Sequence, residues 1–375
     1  MSESRDDDAW SGADPRFRAA RADPAPVIGW ILMIGAIAGT VVLGTLPAPY
    51  VLETPGPVYD TIGTIDIAGD TTDVIAIDGE KTYPTSGSLD MLTVTLRGSR
   101  EAPLSWVDLA ISWFDPSRAV LPIDAVYPED QTQQQSDEES TAQMVGSQQE
   151  AVAAALGELG IDYTSTVTVS GTIDGFPADG VLKQGDQILT VDGDPINGVT
   201  ELSAALAGRP VGSTFEIGIL RDGEAQTVEL TTAASTDDPE KPIVGISPGA
   251  TYDFPFDVTI NLGDVGGPSA GTMLALGIYD KLTPGELAGD EKIAGTGTIT
   301  AEGDVGAIGG IRQKMFGASG AGADWFLAPE SNCDEVVGHI PGDLQVFAVT
   351  TLDQALKVVQ TIGEHGDTST LARCT

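Results

Sequence analysis

Hydrophobic positions along this chain change their spacing from one region to the next. The first is an unbroken run, Val27 to Leu46 (VIGWILMIGAIAGTVVLGTL), twenty residues without a charge. As a helix rising about 1.5 Å per residue it spans a hydrocarbon core of about 30 Å. A buried globular helix is seldom apolar on every face for that length. A cleaved signal peptide is the competing reading. The long polar tail ahead of the run, and the lack of a small-x-small site after it, favour an uncleaved anchor. Arg5, Arg16, Arg18 and Arg21 precede the run, and the first basic residue after it is Lys81. The positive-inside rule then predicts a single-pass protein of the cell membrane, with tail 1–26 cytoplasmic and the bulk of the chain outside.

Residues 47–127 alternate short β-like runs (TIDIAG, TDVIAID, LTVTL) with Gly, Pro and Asp turns, followed by a helix pattern, LSWVDLAISWF. This predicts a β-rich, α+β membrane-proximal module without a catalytic motif. Its Trp106 and Trp113 share a helical face, as core residues or as anchors on the bilayer surface. The stretch 128–143 (PEDQTQQQSDEESTAQ) is polar and nearly free of aliphatics, which predicts a linker; a helix, MVGSQQEAVAAALGELG, follows. Strand patterning returns from Tyr163 to about 232, broken by the helix VTELSAALAG. Residues 233–243 read as a second linker, 244–362 as a further domain and 363–375 as a tail.

Composition narrows the function. Eighteen Lys and Arg against 56 Asp and Glu give a net charge of −38, which repels phosphates and excludes a nucleic-acid partner. Two histidines and two cysteines make a metal centre improbable, and no metal or other cofactor is expected. Cys333 and Cys374 would lie outside the cytoplasm, where a disulfide persists, so they pair or remain free.

The chemistry concentrates around Ser269, in NLGDVGGPSAGTMLALGIYDKL. A strand feeds a Gly-rich turn, and Ser269 is expected to open a helix. Backbone N–H groups of Ser269 and Ala270, free at a helix start, can hold an oxyanion. Gly266 and Gly267 let the backbone approach a substrate closely. Taken alone, Ser269 is equally a helix cap. No Gly-Lys-Ser/Thr occurs anywhere, so a phosphate-cradling loop and ATP as a partner are not supported. His339, in a turn, and His365, in the tail, are poor bases for this serine. Lys314, in AIGGIRQKMFGASGAGA, lies on or beside the apolar side of a helix, and burial can hold a lysine neutral and basic. On its own it is equally a solvated surface lysine.

Two resemblances rest on these residues. PADG-VLKQGDQILTVDGDPI, with turns at Asp179-Gly180, Gly185-Asp186 and Asp192-Gly193, resembles the core of a bacterial PDZ domain, assigned to 144–232. It implies a groove for a peptide end beside the helix 199–207, where Leu202 and Leu206 are groove-facing residues or plain core. GGPSAG, followed by GTGTI and GGIRQK with 45 residues between Ser269 and Lys314, resembles the Lon-type protease domain of the Ser-Lys dyad class. The likeness extends to the closing strand FAVTTLDQALKVV. It implies Ser269 as nucleophile, Lys314 as general base and Thr296 as the residue orienting the amine. Val265-Gly266 and Thr298 depart from the Lys-Asp and Glu of the ATP-dependent members.

The order of parts resembles the membrane-anchored PDZ–Lon-like proteases of bacteria. That implies a multidomain α+β chain with one transmembrane helix, acting as an ATP-independent serine endopeptidase on protein or peptide substrates. It also implies a homo-oligomer, a hexamer in related domains. Two rivals stand beside it: a non-catalytic PDZ-based scaffold with an inert Lon-like domain, and an esterase built on Gly267-Pro268-Ser269-Ala270-Gly271. The esterase lacks a placed histidine.

Overall fold

A computed structural model describes residues 25–374 apart from 68, 129–131, 237 and 264, with side chains from residue 29 onward. The tail up to residue 24, with its arginines, lies outside the described residues. Helix α1 (Ala25–Thr45) falls where the apolar run predicts it, and its described residues are all exposed. Among the described residues no helix is long and apolar enough to cross a membrane. The side chains of the first four residues of α1 are outside that set.

Beyond α1 the chain makes β1 (Tyr50–Asp60), β2 (Ser88–Arg97), helix α2 (Trp106–Ser112) and β3 (Ala119–Pro122). Ser105 and Asp108 form a capping box that starts α2, which packs beside α1. The expected linker 128–143 is instead mostly helix: α3 runs Gln133–Glu158. Thr132 accepts from the Gln135 N–H, and the Gln135 side chain returns to the Thr132 backbone. This second capping box, with straight-chain Gln and Glu after it, outweighs the missing aliphatics.

A compact β unit follows, made of β4 (Thr164–Thr172), β5 (Gln187–Val191), helix α4 (Val199–Ala207), β6 (Thr214–Arg221), β7 (Glu224–Thr231) and β8 (Ile246–Asp253). The sheet order is β7-β6-β5-β4-β8, antiparallel at every step of that path. Its own core includes Val167, Ile188, Leu202, Phe215 and Ile217. Buried Asp186 is paired with Arg221 at 2.6 Å, which ties the turn after Lys183 to β6. The unit closes with β8, beyond the expected boundary at residue 243, because β8 pairs with β4 along eight residues.

The last third supplies α5 (Gly271–Leu282), β9 (Lys292–Gly295), α6 (Ile311–Ala321), β10 (Trp325–Pro329), β11 (Gln345–Val349) and α7 (Leu352–Gly363). One mixed sheet, β11-β10-β9-β2-β1-β3, joins these strands to the N-terminal ones. The stretch 47–127 is therefore no separate module: β9 pairs in parallel with β2, and the early strands form half of this sheet. The strands read apolar on both faces, as strands covered on two sides do. Ile293, Leu327, Phe347 and Val349 face a core with α3, α5 and α7. Their neighbours Ala294, Phe326, Ala328, Val346 and Ala348 face α6. The result is a three-layer sandwich interrupted by the small β unit. Cys333 and Cys374 are joined, with Cα atoms 4.9 Å apart, and the expected free tail pairs against β11 through Phe347 and Arg373.

Candidate active site

Three segments meet at one corner of the sandwich. The Gly-rich turn precedes α5, residue 296 follows β9, and α6 lies across β1 and β2. Helix α5 begins at Gly271, with Ala270 as its cap, so Ser269 sits in the turn just ahead of the helix and does not open it. The turn is held from behind by α3. The Gly267 N–H donates to the Ser140 carbonyl at 2.9 Å, and Ser147 Oγ donates to the Pro268 carbonyl at 2.8 Å. A Cβ on Gly266 would stand 3.0 Å from Ser140 Cβ, and Gly267 has φ +84°. Both glycines line the cavity beside Ser269, with Ser140 of α3 packed against Gly266 and the Gly267 N–H bonded to the Ser140 carbonyl. The N–H groups of Ser269 and Ala270 meet no protein acceptor among the described residues, which leaves them for a ligand oxygen.

Lys314 reaches this turn from α6. Its side chain is 2 % exposed, and Nζ lies 2.6 Å from Ser269 Oγ and 3.0 Å from Thr296 Oγ1. Thr296 is fully buried, and its hydroxyl donates to the Ser269 carbonyl at 2.9 Å. That carbonyl takes a second bond from the Gly297 N–H at 3.0 Å. With its one hydrogen so used, the Thr296 hydroxyl can only accept from the amine. A neutral Lys314 can then donate to Thr296 and turn its lone pair to the Ser269 O–H. Burial lowers the Lys314 pKa from 10.5 to about 8, against an opposing pull from Glu53. At pH 7 that leaves about a tenth of the amine neutral, against about one part in three thousand at the ordinary value.

The dyad opens into a cavity of about 730 Å³. Tyr59, Ile65, Met91, Leu92 and Leu262 line one side, while Glu53, Asp66 and the Gly-rich turn line the rest. The two histidines do not reach it: His339 bonds the Val337 carbonyl, and His365 sits beside Glu291. Leu202 and Leu206 are buried in the small unit's core and also line a second cavity of about 340 Å³, with Ile173, Ile243, Val244 and Pro248.

Glu53 and the α3 buttress were not foreseen from sequence. A lone charge in the apolar run YVLETP, ending up 8 % exposed on β1, was the available signal for Glu53. Nothing in the sequence pattern marked Ser140 or Ser147.

Comparison with known proteins agrees with this geometry. Residues 142–232 match the PDZ domain family, and 258–361 match the family described as Lon protease (S16) C-terminal proteolytic domain. The Lon protease of Campylobacter concisus is 32 % identical over 145 residues, covering 38 % of this chain and 18 % of that protein. Lon protease 1 of Sorangium cellulosum is 39 % identical over 93 residues, covering 24 % of this chain and 11 % of that protein. The chain thus matches less than a fifth of the length of these relatives. Among solved structures, the PDZ domains of SdrC-like proteins from Listeria innocua and Listeria monocytogenes each cover 22 % of this chain, and 92 % and 85 % of their own, at 24 % and 25 % identity and TM-score 0.21. Taken together, the family matches support a serine protease of the Lon type that carries a PDZ domain.

Proposed function

We propose that this chain is a membrane-anchored serine endopeptidase that hydrolyses peptide bonds without ATP through a Ser269–Lys314 dyad. The observation that carries the reading is the buried amine 2.6 Å from the serine hydroxyl. Neutral Lys314 takes the Oγ proton as Ser269 attacks the carbonyl carbon. The N–H groups of Ser269 and Ala270 receive the oxyanion. The ammonium then protonates the leaving amine, and water repeats the cycle on the acyl-enzyme. Thr296 keeps the amine aimed at Ser269.

The cavity beside Leu202 and Leu206 is the proposed seat for a substrate's apolar end, which recruits it or gates the dyad. That unit touches the protease body where Thr200 Oγ1 donates to Glu302 at 2.8 Å. Anchoring is supported by α1, uncharged over 21 residues, and by the exposed Ile111, Trp113 and Phe114 in and just after α2, the helix that packs against α1. The proposed location is the cell membrane with the bulk outside, and the proposed assembly is a homo-oligomer.

The test is peptide cleavage by the detergent-purified chain and by S269A and K314A. Each substitution alone is expected to abolish cleavage, and S269A to lose labelling by a serine-directed acylating probe. Substantial turnover surviving in either variant would defeat the mechanism.

A further inference from the structure

We propose that Glu53 is a positioning residue of the dyad, whose carboxylate stabilises the ammonium that Lys314 becomes on taking the Ser269 proton. The inference rests on the dyad reading above and assigns it a third member, on a strand remote in sequence from both others.

Glu53 lies inside the sheet, on β1 between Leu96 of β2 and Ala119 of β3. A carboxylate buried there is costly unless it is used. Its head lines the same cavity as Ser269 and Lys314. It also lies against the start of α6: a Cβ on Gly310 would come within 2.5 Å of Glu53 Oε1 and 2.8 Å of Val94 Cγ1. Gly310, with φ +69°, is therefore required both by its backbone and by this acid. The Gly310 carbonyl accepts the Lys314 N–H at 3.0 Å, so the carboxylate stands one helical turn ahead of the lysine.

Among the described residues the Glu53 side chain has no hydrogen bond and no direct ion pair, so it acts on the amine through space. Other charges near this corner are few, and one of them, Asp66, lines the same cavity. Glu335 comes from the short helix Cys333–Val336, and the Arg312 guanidinium is bound to the Glu335 carbonyl. Strands β2 and β10 present the apolar Leu92, Val94, Phe326 and Ala328. Burial holds the Glu53 pKa up, and Lys314 pulls it down. While Lys314 is neutral, the carboxylate is without a counter-charge. Proton transfer from Ser269 creates that counter-charge, so the stabilisation grows along the reaction.

The test is the pH profile of peptide cleavage by the full-length protein and by E53Q and E53D, with S269A and K314A as controls. Removing the negative charge makes Lys314 a weaker base. The rising limb of kcat/KM in E53Q is expected to move to lower pH by about half to one unit. Its plateau is expected to fall about tenfold while KM changes little. E53D keeps the charge on a shorter arm, so its limb lies between the two. A folded E53Q with limb and plateau superimposable on wild type overturns the inference, as does a shift to higher pH. If E53Q does not fold, an E53D profile identical to wild type overturns it instead. If S269A or K314A stays active, the dyad reading fails and this inference with it. If both are inactive while the Glu53 variants behave as wild type, only the role of Glu53 is lost.

Discussion

Replacing Lys314 with Met is expected to disable the site and strengthen the fold at neutral pH. The folded-state pKa of the amine is lowered from 10.5 to about 8, chiefly by burial. Below about pH 8 both folded and unfolded chains hold the ammonium, and the whole penalty weighs on the fold. At 1.36 kcal/mol per unit it is about 3 kcal/mol. As pH rises from 8 towards 10.5 the penalty fades, because the folded amine is then neutral and the cost of its deprotonation shrinks until the unfolded chain also loses its proton near 10.5. Methionine matches the lysine stem in volume and carries no charge. It forfeits the amine's two bonds, to Ser269 and Thr296, a loss of about 2 kcal/mol at about 1 kcal/mol each. Thr296 keeps its bond to the Ser269 carbonyl, so no buried hydroxyl is stranded. The net gain is about 1 kcal/mol at pH 7, shrinking steadily above pH 8. Urea unfolding of both proteins in one detergent, followed by tryptophan fluorescence from pH 7 to 10, measures it. A variant less stable than wild type at pH 7, or a gap that does not change with pH, would refute the reasoning.

Thr296→Val preserves shape but removes the hydroxyl that joins the amine to the Ser269 carbonyl. kcat should fall about 10- to 100-fold with KM nearly unchanged, as steady-state peptide kinetics will show. The Cys333–Cys374 bond closes a loop of separation 41, so Cys374→Ser should lower unfolding stability by up to about 4 kcal/mol. Reductant should lower the thermal midpoint of wild type and leave that of the variant where it is.

Much of the site was legible because its chemistry lies in short motifs. The turn before Ser269, the Thr-Gly after β9 and the helix of Lys314 each carry a local pattern, and their spacing joined them. Glu53 was not legible, since its meaning comes from β1 pairing with β2 and lying under α6, contacts made across most of the chain. The partition of the chain failed for the same reason. The runs 50–60 and 88–97 look like a self-contained module, and only long-range pairing with residues 292–295 shows that they belong to the later strands. Segment 128–143 was misjudged on aliphatic content, although Thr132 and Gln135 already spelled a helix start.

The split of the catalytic sheet across the sequence sets an order of events at the ribosome. A nascent chain has made β1 and β2 long before α6 exists, so it holds an acid without its lysine and a serine without its base. Non-local pairings of this kind are slow to form and must wait for the last segments. Ser269 therefore meets its lysine only once α6 has been made, and a chain cut before Ile311 holds the serine turn without that partner.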